Sequence, residues 1–382
     1  MADRPEGAVL LTGATGFVGM ELLARYLERT NRAIYALVRA SDDDEAGARL
    51  RGTLETLGVS RERYSARVTA VAADIERAGL GMDHAQRAGL AERVSEVIHC
   101  AASVSFSLPL AESRLINVGG TRRMLEFAEA AHDRGGLGRF AYVSTAYVAG
   151  THPGEFGEDQ LDVGQDFRNA YERSKFEAEQ LVRSHTGLLP IQVFRPSIIV
   201  GERRSGWTAS FNVLYSPLKA FVRGALPFLP ADRTAPVDVV PVDYVADAIF
   251  TLASEPVGES GETFQLVSGR DATTVGRLAE RAASHLGRRP PRIISPVLYR
   301  RLVHPLLVRT GSKARRRALT RSEVFFPYFT MRVRFDDRRA RSRLDRRGVR
   351  VAPVERYLDR LLDFARAADW GRRQLPRRRS SP

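Results

Sequence analysis

The chain holds one cysteine, Cys100, in 382 residues. An internal disulfide is therefore excluded, and a reducing compartment fits. Lysine is almost as scarce: Lys175, Lys219 and Lys313 stand among 59 basic residues. Where arginine supplies nearly every surface cation, a lysine marks a position that wants a compact point charge. No stretch reaches the roughly 18 uncharged apolar residues of a membrane-crossing helix. The opening Met1-Ala-Asp-Arg-Pro-Glu-Gly7 shows no signal-peptide pattern, because the apolar run Ala8–Leu11 is too short. A cytoplasmic protein is expected. Zinc-finger spacing, an RNA-binding aromatic signature and a basic region with heptads are all missing, which argues against a nucleic-acid partner. No metal site is expected either.

What is present is ordinary in bulk and uneven in charge. Hydrophobic residues at 43% and charged residues at 27% suit a globular protein with a large core. The net charge is +14. From Arg288 onward about 28 residues are basic and about 8 acidic, so the last quarter is near +20 and the rest near −6. Such a basic region can attract an anionic cosubstrate or an anionic membrane surface, and peripheral membrane contact is one expectation. Oligomeric state cannot be read from the sequence.

Ala8–Leu11 reads as a short buried strand that runs into Thr12-Gly13-Ala14-Thr15-Gly16-Phe17-Val18-Gly19 and then a helical pattern through Met20, Leu22, Leu23 and Leu27. Strand, glycine turn and helix form the context of a dinucleotide site, here spaced Gly-x-x-Gly-x-x-Gly. Gly13 permits the turn, Gly16 lets backbone approach a pyrophosphate, and Gly19 lets helix and strand pack. Ala33–Val38 is the second strand and ends at Arg39, placed to hold a 2′-phosphate, so NADP(H) is expected in preference to NAD(H). Arg67–Ala73 is the third strand, with Asp74 positioned for the adenine amino group. Val94–His99, Phe140–Val143 and Ile191–Phe194 follow as strands, separated by helical patterns. This alternation predicts an α/β, Rossmann-type doubly wound parallel sheet. Val237–Val240, Asp243–Leu252 and Thr263–Val267 look like a return to that sheet.

Within Asn169–Val182, a helical pattern, Tyr171 and Lys175 lie four residues apart and so share a face. An ammonium beside a phenol lowers its pKa and makes it a usable proton donor. Thr145, at the end of the fifth strand, adds a second hydrogen-bond donor for one substrate oxygen. Gly206–Gly224 contains Trp207, Phe211, Tyr215 and Phe221, an apolar, aromatic section. A second aromatic run occupies Phe325–Phe329.

Taken together, Gly13-x-x-Gly16-x-x-Gly19, Thr145, Tyr171-x-x-x-Lys175 and Arg195-Pro196-Ser197 resemble the extended short-chain dehydrogenase/reductase family. His99–Phe106, Asn117–Thr121, Val143–Val148 and Arg195–Ile199 are similar to its fatty acyl-CoA reductase and carrier-protein thioester reductase branch (the male-sterility type), over roughly residues 8–270. The resemblance implies that Tyr171 donates the proton, that Lys175 binds the nicotinamide ribose, that Thr145 holds the carbonyl, and that Asn117 supports the lysine through a water. It implies a cofactor site of Gly13, Thr15, Gly16, Phe17, Val18, Gly19, Arg39, Asp74, Ile75, Ala101, Ala102, Ser103, Lys175, Pro196 and Ser197. Phe106, Tyr147, Trp207 and Phe211 are the candidate substrate contacts.

The activity implied is NADPH-dependent reduction of an acyl thioester, CoA- or carrier-linked, to an aldehyde or onward to an alcohol, and for that substrate the apolar section after Gly201 suits a long acyl chain. The alternative is an NAD(P)-dependent dehydrogenase or epimerase acting on a sterol-like or sugar-nucleotide secondary alcohol. Residues 1–200, with 237–268 returning, are expected to form the dinucleotide-binding domain. Residues 201–236 and 269–370 are expected to form a smaller, largely helical substrate region, and 371–382 a disordered basic tail.

Overall fold

Every residue of Ala8–Thr12 (β1) is buried, as a strand covered by helices on both faces must be. The computed structural model describes residues 7–59, 66–211, 214–224, 228–258, 260–303, 305 and 326–377. Six further strands join β1: Ile34–Val38 (β2), Val68–Ala72 (β3), Val94–His99 (β4), Arg139–Val143 (β5), Ile191–Pro196 (β6) and Glu262–Leu266 (β7). They lie in the order β7-β6-β5-β4-β1-β2-β3, and every pair is parallel. Helices Phe17–Arg29 (α1), Asp43–Thr56 (α2) and Val242–Ala253 (α6) cover one face. Helices His84–Arg93 (α3), Gly120–Gly135 (α4) and Ala170–Arg183 (α5) cover the other. The strand order reverses between β1 and β4, and an open α/β sheet binds its ligand in the crevice at that point.

The expected return to the sheet is only partly met. Glu262–Leu266 supplies the seventh strand, but residues 237–240 do not join it. Pro236–Val237 pairs with Thr273–Thr274, and Val239–Pro241 pairs with Ile198–Val200, in separate two-stranded pieces. Asp238 is the break between them. Its carboxylate accepts the N–H groups of Ser268 and Gly269 at 2.8 Å each and the Ser197 hydroxyl at 2.5 Å. Its carboxylate thereby ties this segment to the end of β7, while its backbone carbonyl accepts the Ile198 N–H at 3.3 Å.

A second apolar core gathers Leu214, Tyr215, Leu229, Val275 and Leu278 with Leu358, Leu361 and Trp370. It is built from Val275–His285 (α7) and Leu358–Ala367 (α9) among other elements. Arg338–Arg346 (α8) fastens this region to the sheet. Arg339 pairs with Asp159 at 2.7 Å, Arg341 with Asp271 at 2.8 Å, and Arg343 with Glu255 at 3.4 Å and with Glu262. Buried Glu158 accepts the N–H groups of Arg339 and Ala340 at the start of α8 and that of Gln265 in β7. Burial pushes its carboxyl up to about 7, against those backbone hydrogen bonds.

Residues 371–377, expected as part of a disordered tail, instead turn back onto the first helix. Arg377 pairs with Glu21 at 3.0 Å and Glu202 at 2.9 Å, and its guanidinium lies 5.4 Å from the centre of the Trp207 ring. Residues 378–382 lie outside the described residues. Among the described residues, no helix is long and apolar enough to cross a membrane, and no group of three His, Cys, Asp or Glu side chains is placed to hold a metal ion.

Candidate active site

Gly13 turns the chain out of β1 at φ +73°, and it does so against the end of β4. A Cβ on Gly13 would stand 2.8 Å from the Ala101 nitrogen; one on Gly19 would stand 2.0 Å from the Gly13 carbonyl oxygen. Neither position admits a side chain, so the turn, the helix and the β4 end stay in backbone contact. Gly16 is the N-cap of α1. No side chain caps that helix end, and its first turn carries no acid. Its free N–H groups and positive dipole end therefore remain available to an anion. Gly16 is exposed, while Thr15, Phe17 and Val18 are half-buried around it. This cradle fits a dinucleotide pyrophosphate.

The adenosine end is more open. Arg39 is largely exposed just past β2, with a long contact of 3.4 Å to Glu76. Asp74 accepts the Glu76 N–H at 2.9 Å and so shapes the turn after β3. The Ile75 side chain faces inward against Gly120.

Tyr171 sits in the first turn of α5 because Asn169 caps that helix, accepting the Glu172 N–H at 3.0 Å. Its phenol lies beside the Thr145 hydroxyl, which favours the phenolate. Thr145 opens the short helical turn that follows β5. Burial pushes the Tyr171 phenol up to about 12, and the Thr145 hydroxyl opposes that only in part. The phenol is thus held as a proton carrier.

Lys175 is placed otherwise than the four-residue spacing suggested. Its ammonium donates to the Tyr142 hydroxyl at 2.7 Å and to the Val143 carbonyl at 2.9 Å. The side chain runs from α5 into the sheet toward β5. Burial brings its pKa down to about 8.

Tyr142 was not singled out by the sequence, and it belongs to a buried network whose proton directions can be assigned. The Thr12 hydroxyl oxygen accepts the N–H groups of Cys100 and Ala101 at 3.1 Å each, so its hydrogen goes to His99 Nδ1 at 2.8 Å. His99 then carries its proton on Nε2 and donates to the Thr121 hydroxyl at 3.2 Å. Burial and the nearby Lys175 charge bring the imidazole down to about 3, so it stays neutral. Thr121 gives its hydrogen to the Asn117 carbonyl at 2.6 Å. Thr121 lies beside Tyr142 as well, and the Tyr142 oxygen accepts from Lys175 at 2.7 Å.

Asn117 lies in a π-helical turn, Leu115–Gly119, that leads into α4. Its side chain clips the Ser103 backbone from both sides, at 2.8 and 3.1 Å, and donates to the Ser174 hydroxyl at 2.9 Å. It therefore joins the loop after β4 directly to α5. Beneath the site Glu179 of α5, fully buried, accepts from Arg195 of β6 at 2.7 Å and from Ser144 at 2.6 Å. Although burial opposes it, the Arg195 guanidinium holds this carboxyl below its usual range. The pair fixes α5 against the ends of β5 and β6. Pro196 closes β6, its carbonyl 3.4 Å from the Thr145 hydroxyl, and Ser197 donates to Asp238.

The four substrate candidates separate. Phe106 packs beside Tyr171, ring centres 5.5 Å apart. Tyr147 stands close by, edge-on to Tyr328 at 5.4 Å. Trp207 is instead buried against Phe17, 6.3 Å away, where Arg377 covers it. Phe211 packs on Tyr215 and Phe364 in the second core. An aromatic residue after the sheet serves packing as well as any acyl chain, and these two are core. Tyr328, from the C-terminal aromatic run, was not singled out by the sequence, yet it stacks on Phe106 with ring centres 5.5 Å apart; Phe325 of that run lies outside the described residues.

Over residues 11–249 the chain matches the model of the male sterility protein family, an NAD-binding family. It is 32% identical over 277 residues to a nonribosomal peptide synthetase, asaC, of Aspergillus flavus, covering 69% of this chain and 26% of that protein. It is 31% identical over 284 residues to a carboxylic acid reductase of Mycobacterium marinum, covering 66% and 24%. The chain spans about a quarter of the length of both. The crystal structure of the terminal R domain from the myxalamid PKS-NRPS biosynthetic pathway aligns with a TM-score of 0.83 at 26% identity, covering 97% of this chain and 92% of that one.

Proposed function

The chain belongs to the male sterility-type family of extended short-chain dehydrogenase/reductases, which are NAD(P)-dependent oxidoreductases, and on that premise we propose that it reduces an acyl thioester, presented on CoA or on a carrier protein, to an aldehyde with NADPH. The observation that carries this reading is the Thr145–Tyr171 pair at the carboxyl end of β5, facing the same crevice as the open N-terminus of α1.

The cofactor, when bound, supplies the hydride. Thr145 and Tyr171 present two hydroxyl donors to the carbonyl oxygen, where negative charge develops as the carbon becomes tetrahedral. Tyr171 transfers its proton to that oxygen and leaves a neutral hemithioacetal. Lys175, a buried cation, stabilises the phenolate that forms and offers its remaining hydrogen-bonding capacity to the nicotinamide ribose. For collapse to the aldehyde, Tyr171 takes back the hydroxyl proton as the carbon–sulfur bond breaks, and the departing thiolate is protonated. With a second NADPH as the hydride source, the same donors acting on the aldehyde would give the alcohol. Arg39, exposed and only loosely paired, is the group that supports NADPH over NADH.

The test mixes purified protein with NADPH and acetyl-, butanoyl-, octanoyl- or palmitoyl-CoA, or the matching acyl-pantetheine, and follows loss of reduced-nicotinamide absorbance together with aldehyde and thiol release. Turnover with thioesters is expected. Turnover confined to secondary alcohols with oxidised cofactor would overturn the reading.

A further inference from the structure

The three rings of Tyr171, Phe106 and Tyr328 form a stack beside the reacting pair. Phe106 lies 5.5 Å from each of the other two, nearly parallel to Tyr328 at 14° and tilted by 36° from Tyr171. Tyr328 comes from a segment nearly 160 residues away in sequence, and it is fixed from several sides. Its hydroxyl donates to Glu172 at 2.7 Å and accepts from Asn169 Nδ2 at 2.7 Å. The Arg168 guanidinium lies 5.9 Å from its ring centre. Asn169 and Glu172 are the residues that begin α5, so the ring is tied to the turn that presents Tyr171. Tyr147 meets Tyr328 edge-on and is itself backed edge-on by Phe335 at 5.8 Å.

Tyr147 and Tyr328 also line a small, partly open apolar cavity of about 30 Å³, with Ile198, Leu214, Val237 and Met331 among its walls. That space holds a water or two and no acyl chain. The route from the carbonyl site into the apolar interior of the C-terminal region is therefore occupied by the Tyr328 ring.

We propose that Tyr328 is a specificity-determining residue: its ring, seated between Phe106 and Tyr147, ends the acyl pocket and limits the substrate to short acyl thioesters. This rests on the thioester reading above and narrows it, since the apolar section after Gly201 was expected to suit a long chain. The hydroxyl fastens the ring, and the ring sets the limit. Those two contributions can be separated by substitution.

The experiment compares kcat/KM for octanoyl-CoA and butanoyl-CoA, with NADPH, in the natural chain and in Tyr328→Phe, Tyr328→Leu and Tyr328→Ala. The natural chain should favour butanoyl-CoA. Tyr328→Phe keeps the ring and should leave the octanoyl-to-butanoyl ratio within about twofold. Tyr328→Ala should raise it at least tenfold. Tyr328→Leu, which keeps apolar volume beside Met331 and is the safer fold, should raise it by a smaller factor. The proposal is overturned if no variant moves the ratio, or if Tyr328→Phe moves it as far as Tyr328→Leu. A natural chain that turns over no thioester of any length overturns the thioester reading and this proposal together, whereas thioester turnover with an unmoved ratio overturns this proposal alone.

Discussion

Replacing Lys175 by methionine should make the protein's stability less dependent on pH while removing its activity. The ammonium is buried, and burial brings its pKa from 10.5 down to about 8. A displacement of that size corresponds to about 3 kcal/mol between the charged and neutral forms. The sign follows from proton binding. Between pH 8 and 10.5 the unfolded chain holds a proton on this lysine that the folded chain has released, so this group's contribution to stability rises with pH across that window. The cost of the buried charge is fully present below the folded pKa and is gone above the unfolded one. Methionine has no such titration. It does leave the Tyr142 oxygen and the Val143 carbonyl without their donor, at a cost of about 1–3 kcal/mol per group that does not vary with pH. The readout is therefore a slope: the stability of Lys175→Met minus that of the natural chain, by urea unfolding without cofactor, should fall by about 3 kcal/mol between neutral pH and the upper end of the window. Two parallel curves would refute the desolvated ammonium.

Tyr171→Phe removes the proton donor and leaves the dinucleotide cradle intact; kcat should drop by roughly 10²–10⁴ with little change in cofactor affinity, as read by nicotinamide fluorescence. Tyr142→Phe takes away an acceptor that favours the charged lysine, so the Lys175 pKa should fall below about 8 and the alkaline limb of the kcat/KM profile should move to lower pH. An unmoved limb would mean that Tyr142 only fills space. Arg39→Ala should lower kcat/KM for NADPH by roughly 10- to 100-fold, the loss of a charge-assisted contact, while leaving NADH nearly unchanged; equal losses with both cofactors would remove Arg39 from the 2′-phosphate.

Much of the sheet is legible because its signals are local. An apolar run covered on both faces, followed by Gly13, Gly16 and Gly19, marks β1 and its turn, and the later parallel strands repeat the buried run except β3, which lies at the sheet edge with only Val71 buried. What fails is whatever depends on the direction of a side chain across elements. Spacing of four places Tyr171 and Lys175 on one face of α5, and that is correct, but a helix face is broad. The lysine reaches past the tyrosine to β5, where the Tyr142 hydroxyl accepts from it. Nothing local to Phe140–Val143 distinguishes Tyr142 from a core aromatic. Its role emerges only when α5 is packed on the sheet and Lys175 is carried to it. Trp207 and Tyr328 show the same limit from opposite sides. Both are aromatic residues beyond the last clear βα unit; one is packed under the glycine turn by Arg377, and the other is carried to Tyr171.

The charge asymmetry receives a different meaning from the folded chain. A quarter of the sequence near +20 beside a remainder near −6 could answer to an external anion, and the sequence alone leaves that open. In the fold, the arginines of α8 meet acids from β7, the loops around it and the region of the short strand Glu155–Phe156: Arg338 with Glu155, Arg339 with Asp159, Arg341 with Asp271, Arg343 with Glu255 and Glu262, and two acids just before the helix add to them, Asp336 with Arg338 and Asp337 with Arg341. Most of these pairs are at least partly exposed and individually weak. Their combined effect is orientation, because a helix bearing a row of cations opposite a row of anions can dock in few registers. The register matters for chemistry. The same segment that α8 holds in place begins with Phe326–Phe335, which pairs Arg334–Phe335 beside Glu155–Phe156 and sets Tyr328 against Phe106. The basic end of this chain thus works first on its own acidic half, and through that contact it shapes the wall beside Tyr171.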